Sequence, residues 1–490
     1  MLELFTFNAA LLLLGVFSLY LLSLAIYRLY LDPIAKFPGP KLAALTLWYQ
    51  FYYDVLKQGK YTVEIEKMHE AYGPIVRINP YELHINDPDY YDNLYVGGSV
   101  RKTIRYGWAT RMFGKTSSTL GTISHDLHRI RRGAIAPFFS KQSVQKLEPE
   151  VQLVIEKLIS RFHALQGSDT SINLIDAFSA LAGDVISQYT FAQPYGLMDS
   201  PDFAPWWHKA WIEISKNSHK FTQFGWLEPT LRMMPLFVVK VLSPPMVALI
   251  EMQDSLKKQV IEVKTELQAG RKNTGQRTIF HDVLTNDNIR PEEKGTEHLK
   301  NEAQLVVAAG TVTTAQTLAT TSFYLIENPP ILEKLQQELG TVMKTEGQRP
   351  DWQQLEQLPY LTAVIHEGLR IAYGIMHRLQ RISPDEAIQF NEWTIPPMTP
   401  VSMSAKMLHD NPKIFPNPRS FSPERWLQPS PYRLENLAYC ELYLALAAVF
   451  APGGFRLELF ETDISDVETP HDYVNPCHRA ESKGIRVRVK

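Results

Sequence analysis

The chain has 490 residues, 45% hydrophobic and 21% charged, with a net charge of −2. That is ordinary globular composition, and the absence of a Lys/Arg block excludes nucleic acid as a partner. Two cysteines in this length exclude a disulfide framework and suit a reducing compartment.

The first element is an uncharged run from Leu4 to Tyr27. At about 1.5 Å per residue it is long enough to cross a bilayer core of about 30 Å. A cleaved signal peptide would want a basic leader, whereas Glu3 precedes the run and no basic side chain does. Arg28, Lys36 and Lys41 follow it, which sets the rest of the chain on the cytosolic side. The expected organisation is an anchor over residues 1–31 and one large body over 32–490. No repeat, low-complexity tract or mid-chain linker divides that body.

"DPIAKFPGPKLA" follows, where Pro33, Pro38, Gly39 and Pro40 forbid a continuous helix and make a stiff turn. The stretch from Phe203 to Leu242 is rich in Trp, Phe and Met. It reads as core, with an apolar surface facing a membrane or a lipophilic ligand as the alternative. "TELQAGRKNTGQ" reads as a polar loop. A long helix is expected from near Glu297 until Pro329 and Pro330 stop it, with further helix from Ile331 to Ile371 broken around "TEGQRPDW". "AIQFNEWTIPPMTPVSMSA" alternates and is punctuated by proline, so it reads as strands and turns. The fold class is mainly α with a minor β portion.

Candidate chemistry gathers in the second half. Glu367 and Arg370 in "HEGLR" stand at i and i+3, on one helical face. Alone they read as a surface ion pair of little worth. Arg425, in the irregular "FPNPRSFSPERW", would convert them into a buried network locking a loop to the helix. In "AAGTVTT", Ala309 and Gly310 are small enough for a flat cofactor to approach, and Thr313 offers a hydroxyl that can pass a proton. The competing reading is a buried helix whose Thr hydroxyls bond back to their own carbonyls.

These residues, in this order, resemble those of the cytochrome P450 family. "EGLR" is similar to its ExxR motif, "PERW" to its PERF/PERW motif, "AAGTVTT" to its oxygen-activation motif, and "FPGP" to the hinge after a microsomal anchor. The resemblance covers nearly the whole chain and is strongest to fungal microsomal enzymes of the trichodiene-oxygenase kind. It implies a P450-like fold with one transmembrane helix and Glu367, Arg370 and Arg425 as the structural triad. "HRIRR" resembles the WxxxR segment with His128 in place of Trp, implying that Arg132 pairs with a heme propionate. "RLQR" offers Arg381 for the same purpose. Val312 stands where the family usually carries Asp or Glu, so a proton relay would rest on Thr313 and water.

Function follows as an expectation. The resemblance implies a heme b monooxygenase of fungal secondary metabolism, held in the endoplasmic reticulum membrane by a single pass with its body in the cytosol. It would use O2 and electrons from NADPH-cytochrome P450 reductase on a small lipophilic, possibly terpenoid, substrate.

The ligand is the point of departure. The family's FxxGxRxCxG loop would supply a thiolate to the iron. "ERWLQPSPYRLENLAYCELYLALAA" matches the family on both sides of a joint near Asn436/Leu437 and has no such loop. Cys440 shares one apolar helical face with Leu437, Leu444 and Ala447 and reads as a buried hydrophobe. Cys477, beside His478, carries no partner motif. No metal ligand is therefore assigned. The chain is expected to lack its ligand loop, with a catalytically dead, membrane-anchored P450-like protein or an unstable truncated product as the alternatives.

Overall fold

The computed structural model describes residues 2–97, 100–113, 118–269, 278–344, 349–427 and 437–490. The chain forms two compact units. One is Met1–Ala109 with Arg378–Leu408, the other Thr110–His377 with His409–Lys490. The chain leaves the first unit and returns to it, so no linker composition marks the boundary.

The first unit begins with the helix Leu2–Ile26, which widens into a π-type turn over Tyr27–Leu31. Its stretch Thr6–Leu31 is long and apolar enough to cross a membrane, and its apolar side chains are exposed. A buried arginine fixes the end of this helix. Arg77 donates to the carbonyls of Arg28 (2.6 Å) and Pro80 (2.8 Å) and lies 3.5 Å from Asp32, while its backbone amide donates to Pro38 (2.7 Å). Arg28 in turn donates to the Tyr81 hydroxyl (2.7 Å). The proline-rich turn is thereby tied to the sheet.

That sheet has five strands in the order Ile75–Arg77, Leu83–Ile85, Pro400–Ser402, Arg381–Ile382, Ile104–Arg105. Only the Leu83↔Val401 pairing is parallel. The first three strands are buried throughout, as their Val, Ile and Leu content requires. The strands expected around "AIQFNEWTI" form a hairpin, Ile388–Phe390 with Trp393–Ile395, and Asn391 takes the positive φ its turn needs. Beneath the sheet, Glu82 is fully buried and accepts from Arg378 (3.0 Å), Ser402 (2.8 Å) and Asn79 (3.1 Å).

The second unit is helical. Its axis is Thr296–Glu327, a 32-residue helix that starts and stops where the sequence places it. Leu174–Phe191 packs along it, with Lys141–Leu165, Pro359–Ala372 and Leu437–Val449 completing one apolar core. Close approach of two of these helices requires glycine: a Cβ at Gly368 would stand 2.0 Å from Thr321 Oγ1. The "TELQ" half of the expected polar loop is helix, because Pro244–Gln268 continues through it; residues 270–277 are outside the described set. The helical run after Ile331 resolves into Pro329–Leu339, Trp352–Leu355 and Pro359–Ala372. The Trp-rich stretch splits between both readings. Phe203, Trp207 and Trp211 are core, while Trp226, Met233, Phe237 and Val241 on and beside two short helices are exposed.

One buried pair in the first unit gives it an acid limit. His69 and His84 join through Nε2 and Nδ1 at 2.7 Å, and His69 Nδ1 lies 2.7 Å from the Gly73 carbonyl. Burial lowers His69 to about 4. The unfolded chain takes up this proton near pH 6.5 and the folded chain only near 4, so stability is present above pH 6.5 and lost as pH falls through that window. A denaturant titration at pH 7 and pH 4.5 should show a loss on the order of 2–3 kcal/mol for this group. His69→Gln should flatten that dependence; an unchanged slope would show that His69 is not the group.

Candidate active site

Glu367 is the centre of a dense hydrogen-bond network in the second unit. It lies near the end of Pro359–Ala372 and is fully buried. Arg370, one turn on, donates through Nε and Nη2 to its two oxygens, each at 2.8 Å. Arg425 Nε adds a bond at 3.1 Å, the Ser422 amide one at 2.9 Å and Trp426 Nε1 one at 2.8 Å. Burial alone would raise the Glu367 pKa. The bonds from Arg370, Ser422 and Trp426 outweigh it and hold the carboxylate below its usual range. Arg370 also donates to the carbonyls of Pro418 (2.7 Å), His409 (3.1 Å) and Ser420 (3.3 Å), and Arg425 to that of Pro416 (3.1 Å). The structure thus brings Glu367, Arg370 and Arg425 together. Ser422 and Trp426 were missed by sequence reasoning, although Trp426 closes the "PERW" signature.

The central helix carries a local opening. From Val306 to Phe323 it is buried except at Ala308, Ala309, Gly310 and Thr313, and Ala309 is exposed. Ala309 and Thr313 are four apart and share that face. Gly310 also has a packing reason to be small, since a Cβ there would stand 2.9 Å from Ile186. The Thr313 hydroxyl donates to the Ala309 carbonyl (2.8 Å), which is the back-bond of the competing reading, and it leaves the oxygen's lone pairs free to accept. Val312 is buried.

The basic residues fall in separate places. His128 and Arg132 lie on His125–Ile135 in the second unit, where Arg132 is exposed. Its neighbour Arg131 is anchored instead, donating to Glu293 (2.7 Å) and Thr122 (2.8 Å). Arg381 belongs to the first unit. It pairs across the sheet with Arg105, which sequence reasoning missed because only the strand register brings the two together. Burial lowers both, and their mutual repulsion takes Arg105 further, to about 10. The strand register thus sets two half-buried arginines side by side, each lowered mainly by burial.

Cys440 lies in Leu437–Val449, a helix buried almost throughout. Burial, then the carboxyls of Glu148 and Glu441, push its thiol well above the usual range. A thiol in such surroundings favours its neutral form, and coordination to a metal cation would displace its proton to solvent. Cys477 lies in the hairpin His471–Tyr473/Asn475–Cys477, and burial raises it to about 12. His478 Nε2 lies 3.1 Å from Gln316 Oε1. A cleft of about 840 Å³ opens elsewhere in this unit, lined by Gln152, His163, Arg349, Leu444 and Phe455 among others; Thr313 and Cys440 are not part of its wall.

A profile described as Cytochrome P450 matches residues 38–440. The chain is 40% identical over 491 residues to cytochrome P450 monooxygenase tpcC of Cochliobolus heterostrophus, covering 94% of this chain and 93% of that one. It is 42% identical to cytochrome P450 monooxygenase oblB of Emericella variicolor, covering 96% and 91%. It is 40% identical to tryptophan 6-hydroxylase fscE of Fusarium equiseti, covering 94% and 92%.

These findings correct the expectation of a chain without its ligand cysteine. The match carries through to Cys440, and Cys440 is buried near the family's ligand position. The catalytically dead and truncated readings rested on that absence and fall with it. The joint expected near Asn436/Leu437 borders residues 428–436, which lie outside the described set. Heme b is the cofactor that the family supports. Within the second unit, the buried thiol of Cys440 and the opening on the central helix at Ala309 and Thr313 are groups of the kind it requires.

Replacing Glu367 by Gln removes the charge that both arginines share. Breaking a buried ion pair from one side costs about 3–5 kcal/mol. Chemical denaturation of Glu367→Gln should show a loss of that size, and Arg425→Ala a smaller one, because Arg425 is the more exposed partner. Equal losses would refute the ranking.

Proposed function

The chain belongs to the cytochrome P450 family, among its fungal monooxygenases of secondary metabolism, and on that basis we propose that it inserts one oxygen atom of O2 into a small lipophilic substrate. The observation that carries the proposal is the match from residue 38 to Cys440, backed by relatives of about 40% identity along nearly their whole length. The substrate class proposed is terpenoid. A second reading, an aromatic substrate, is favoured by two relatives named for hydroxylating tryptophan and N-acetyltryptophan.

Bound heme supplies the activation of O2. Arg132 would hold one of its carboxylates, as the family resemblance implies, and Arg381 is the other arginine that the resemblance names for this role. Cys440 is the thiol offered to the metal. Thr313 holds and moves the proton at Oγ1, accepting from water while it donates to Ala309. Val312, apolar and buried, leaves that task to the hydroxyl.

Electrons would come from NADPH-cytochrome P450 reductase, with both proteins at the endoplasmic reticulum membrane. The helix Thr6–Leu31 supplies a single pass, and the basic residues that follow it keep the body cytosolic. The exposed Met233, Phe237 and Val241 give the second unit an apolar patch suited to the bilayer surface.

Two measurements test this. In the carbonyl-difference spectrum, the full-length protein should give the thiolate-type band, Cys440→Ser should lose it, and Cys477→Ser should keep it. A band retained in Cys440→Ser would remove Cys440 from the role. With reductase and NADPH, Thr313→Val should lower product formation by about 100-fold, the usual contribution of a positioned proton donor, while NADPH is still consumed. Product formed at the native rate would exclude Thr313 from proton delivery. Spectral titration with a sesquiterpene and with N-acetyltryptophan separates the two substrate readings.

A further inference from the structure

Away from the residues used above, three stretches of the second unit converge on a second cluster. His219 comes from the helix Ser218–Gln223, His377 from the segment after Pro359–Ala372, and Asp472 from the hairpin His471–Tyr473/Asn475–Cys477. All three are buried, Asp472 fully. His377 Nδ1 lies 3.1 Å from Asp472 Oδ2, and His219 Nε2 lies 2.5 Å from the Asp472 carbonyl. One ligand atom from each residue falls within 4.8 Å of the others.

The hairpin tip holds this arrangement. Val474 sits at φ 76°, a conformation that a β-branched residue adopts only when its surroundings impose it. Its amide donates to Asp472 Oδ1 (3.0 Å), and its carbonyl accepts from the amides of Met376 (2.9 Å) and His377 (3.3 Å). One carboxylate oxygen is therefore fixed from behind and the other is presented to His377. Outer bonds of this kind orient the ligands of metal sites. A buried carboxylate is stabilised by positive charge close to it, and a divalent ion bound between these donors supplies it.

We infer that His219, His377 and Asp472 form a site for one divalent transition ion of the zinc class, clasping the hairpin to the helix Ser218–Gln223. Two imidazoles and a carboxylate are donors that zinc accepts, with a fourth position left for water. Ligands around zinc stand about 3.4 Å apart. Side-chain rotation of roughly 1–1.5 Å closes the present cluster to that spacing, and His219 Nε2 exchanges its carbonyl bond for the metal.

The test uses the full-length, heme-containing protein in lipid nanodiscs, stripped with a chelator and dialysed against zinc chloride. Zinc and iron are counted separately by mass spectrometry. The expected result is one zinc per chain, with Asp472→Asn and His377→Ala each weakening binding at least about tenfold, the loss that even outer partners of such sites produce. His163→Ala, at the separate cleft, should bind as the native protein does. Zinc should also raise the melting midpoint of the native protein and leave that of Asp472→Asn unmoved. Absence of zinc from the native protein would overturn the assignment without reference to any variant. Zinc retained at native affinity in both variants would overturn it equally.

Discussion

The second unit depends on the charge of Glu367. A carboxylate with no exposure is stable there only because five donors converge on it, from two arginines, an indole and a backbone amide. Those donors come from two sources. Arg370 belongs to the same helix; Ser422, Arg425 and Trp426 belong to a proline-rich stretch whose only regular element among the described residues is the 3-10 turn Pro423–Trp426. The carbonyls of His409, Pro416, Pro418 and Ser420 are in turn satisfied by the same two guanidinium groups. The stretch makes only scattered turn bonds of its own, and side chains satisfy these further carbonyls.

The central helix shows a second economy of the same kind. Its burial is nearly continuous, yet the face at Ala309 and Thr313 is left uncovered. Small residues serve two directions there: Gly310 lets Ile186 close in on one side, and Ala309 keeps the other side open. The hydroxyl of Thr313 is already bonded to its own helix, so the two readings of this motif are compatible. A back-bonded threonine still has lone pairs to offer.

Much of this was legible in the sequence because it rests on local pattern. The anchor helix, the central helix with its proline stop, the hairpin at Asn391 and the ExxR and PERW residues are each written in a short window. What was not legible depends on register or on distant segments. Arg105 meets Arg381 only through strand pairing, and Gly368 matters only because Thr321 is opposite. His219, His377 and Asp472 are hundreds of residues apart at the extremes. The Trp-rich stretch could not be assigned from composition, since core and exposed residues alternate along it. The cysteine was misjudged for a related reason: a missing loop motif was taken as a missing ligand, although Cys440 stood buried in the matched region.

The Arg77 clamp has a mechanical consequence. Its bond to the Arg28 carbonyl fixes the rotational phase of the apolar helix as well as its end point. An α-helix turns about 100° per residue, so one residue inserted before Arg28 would rotate the helix ahead of it by that angle relative to the clamp. The leading segment therefore acts as a keyed shaft and not as an interchangeable tether. A foreign hydrophobic helix of the right length would hold the protein at a membrane, but would seat it correctly only if its last turn arrived in the same phase.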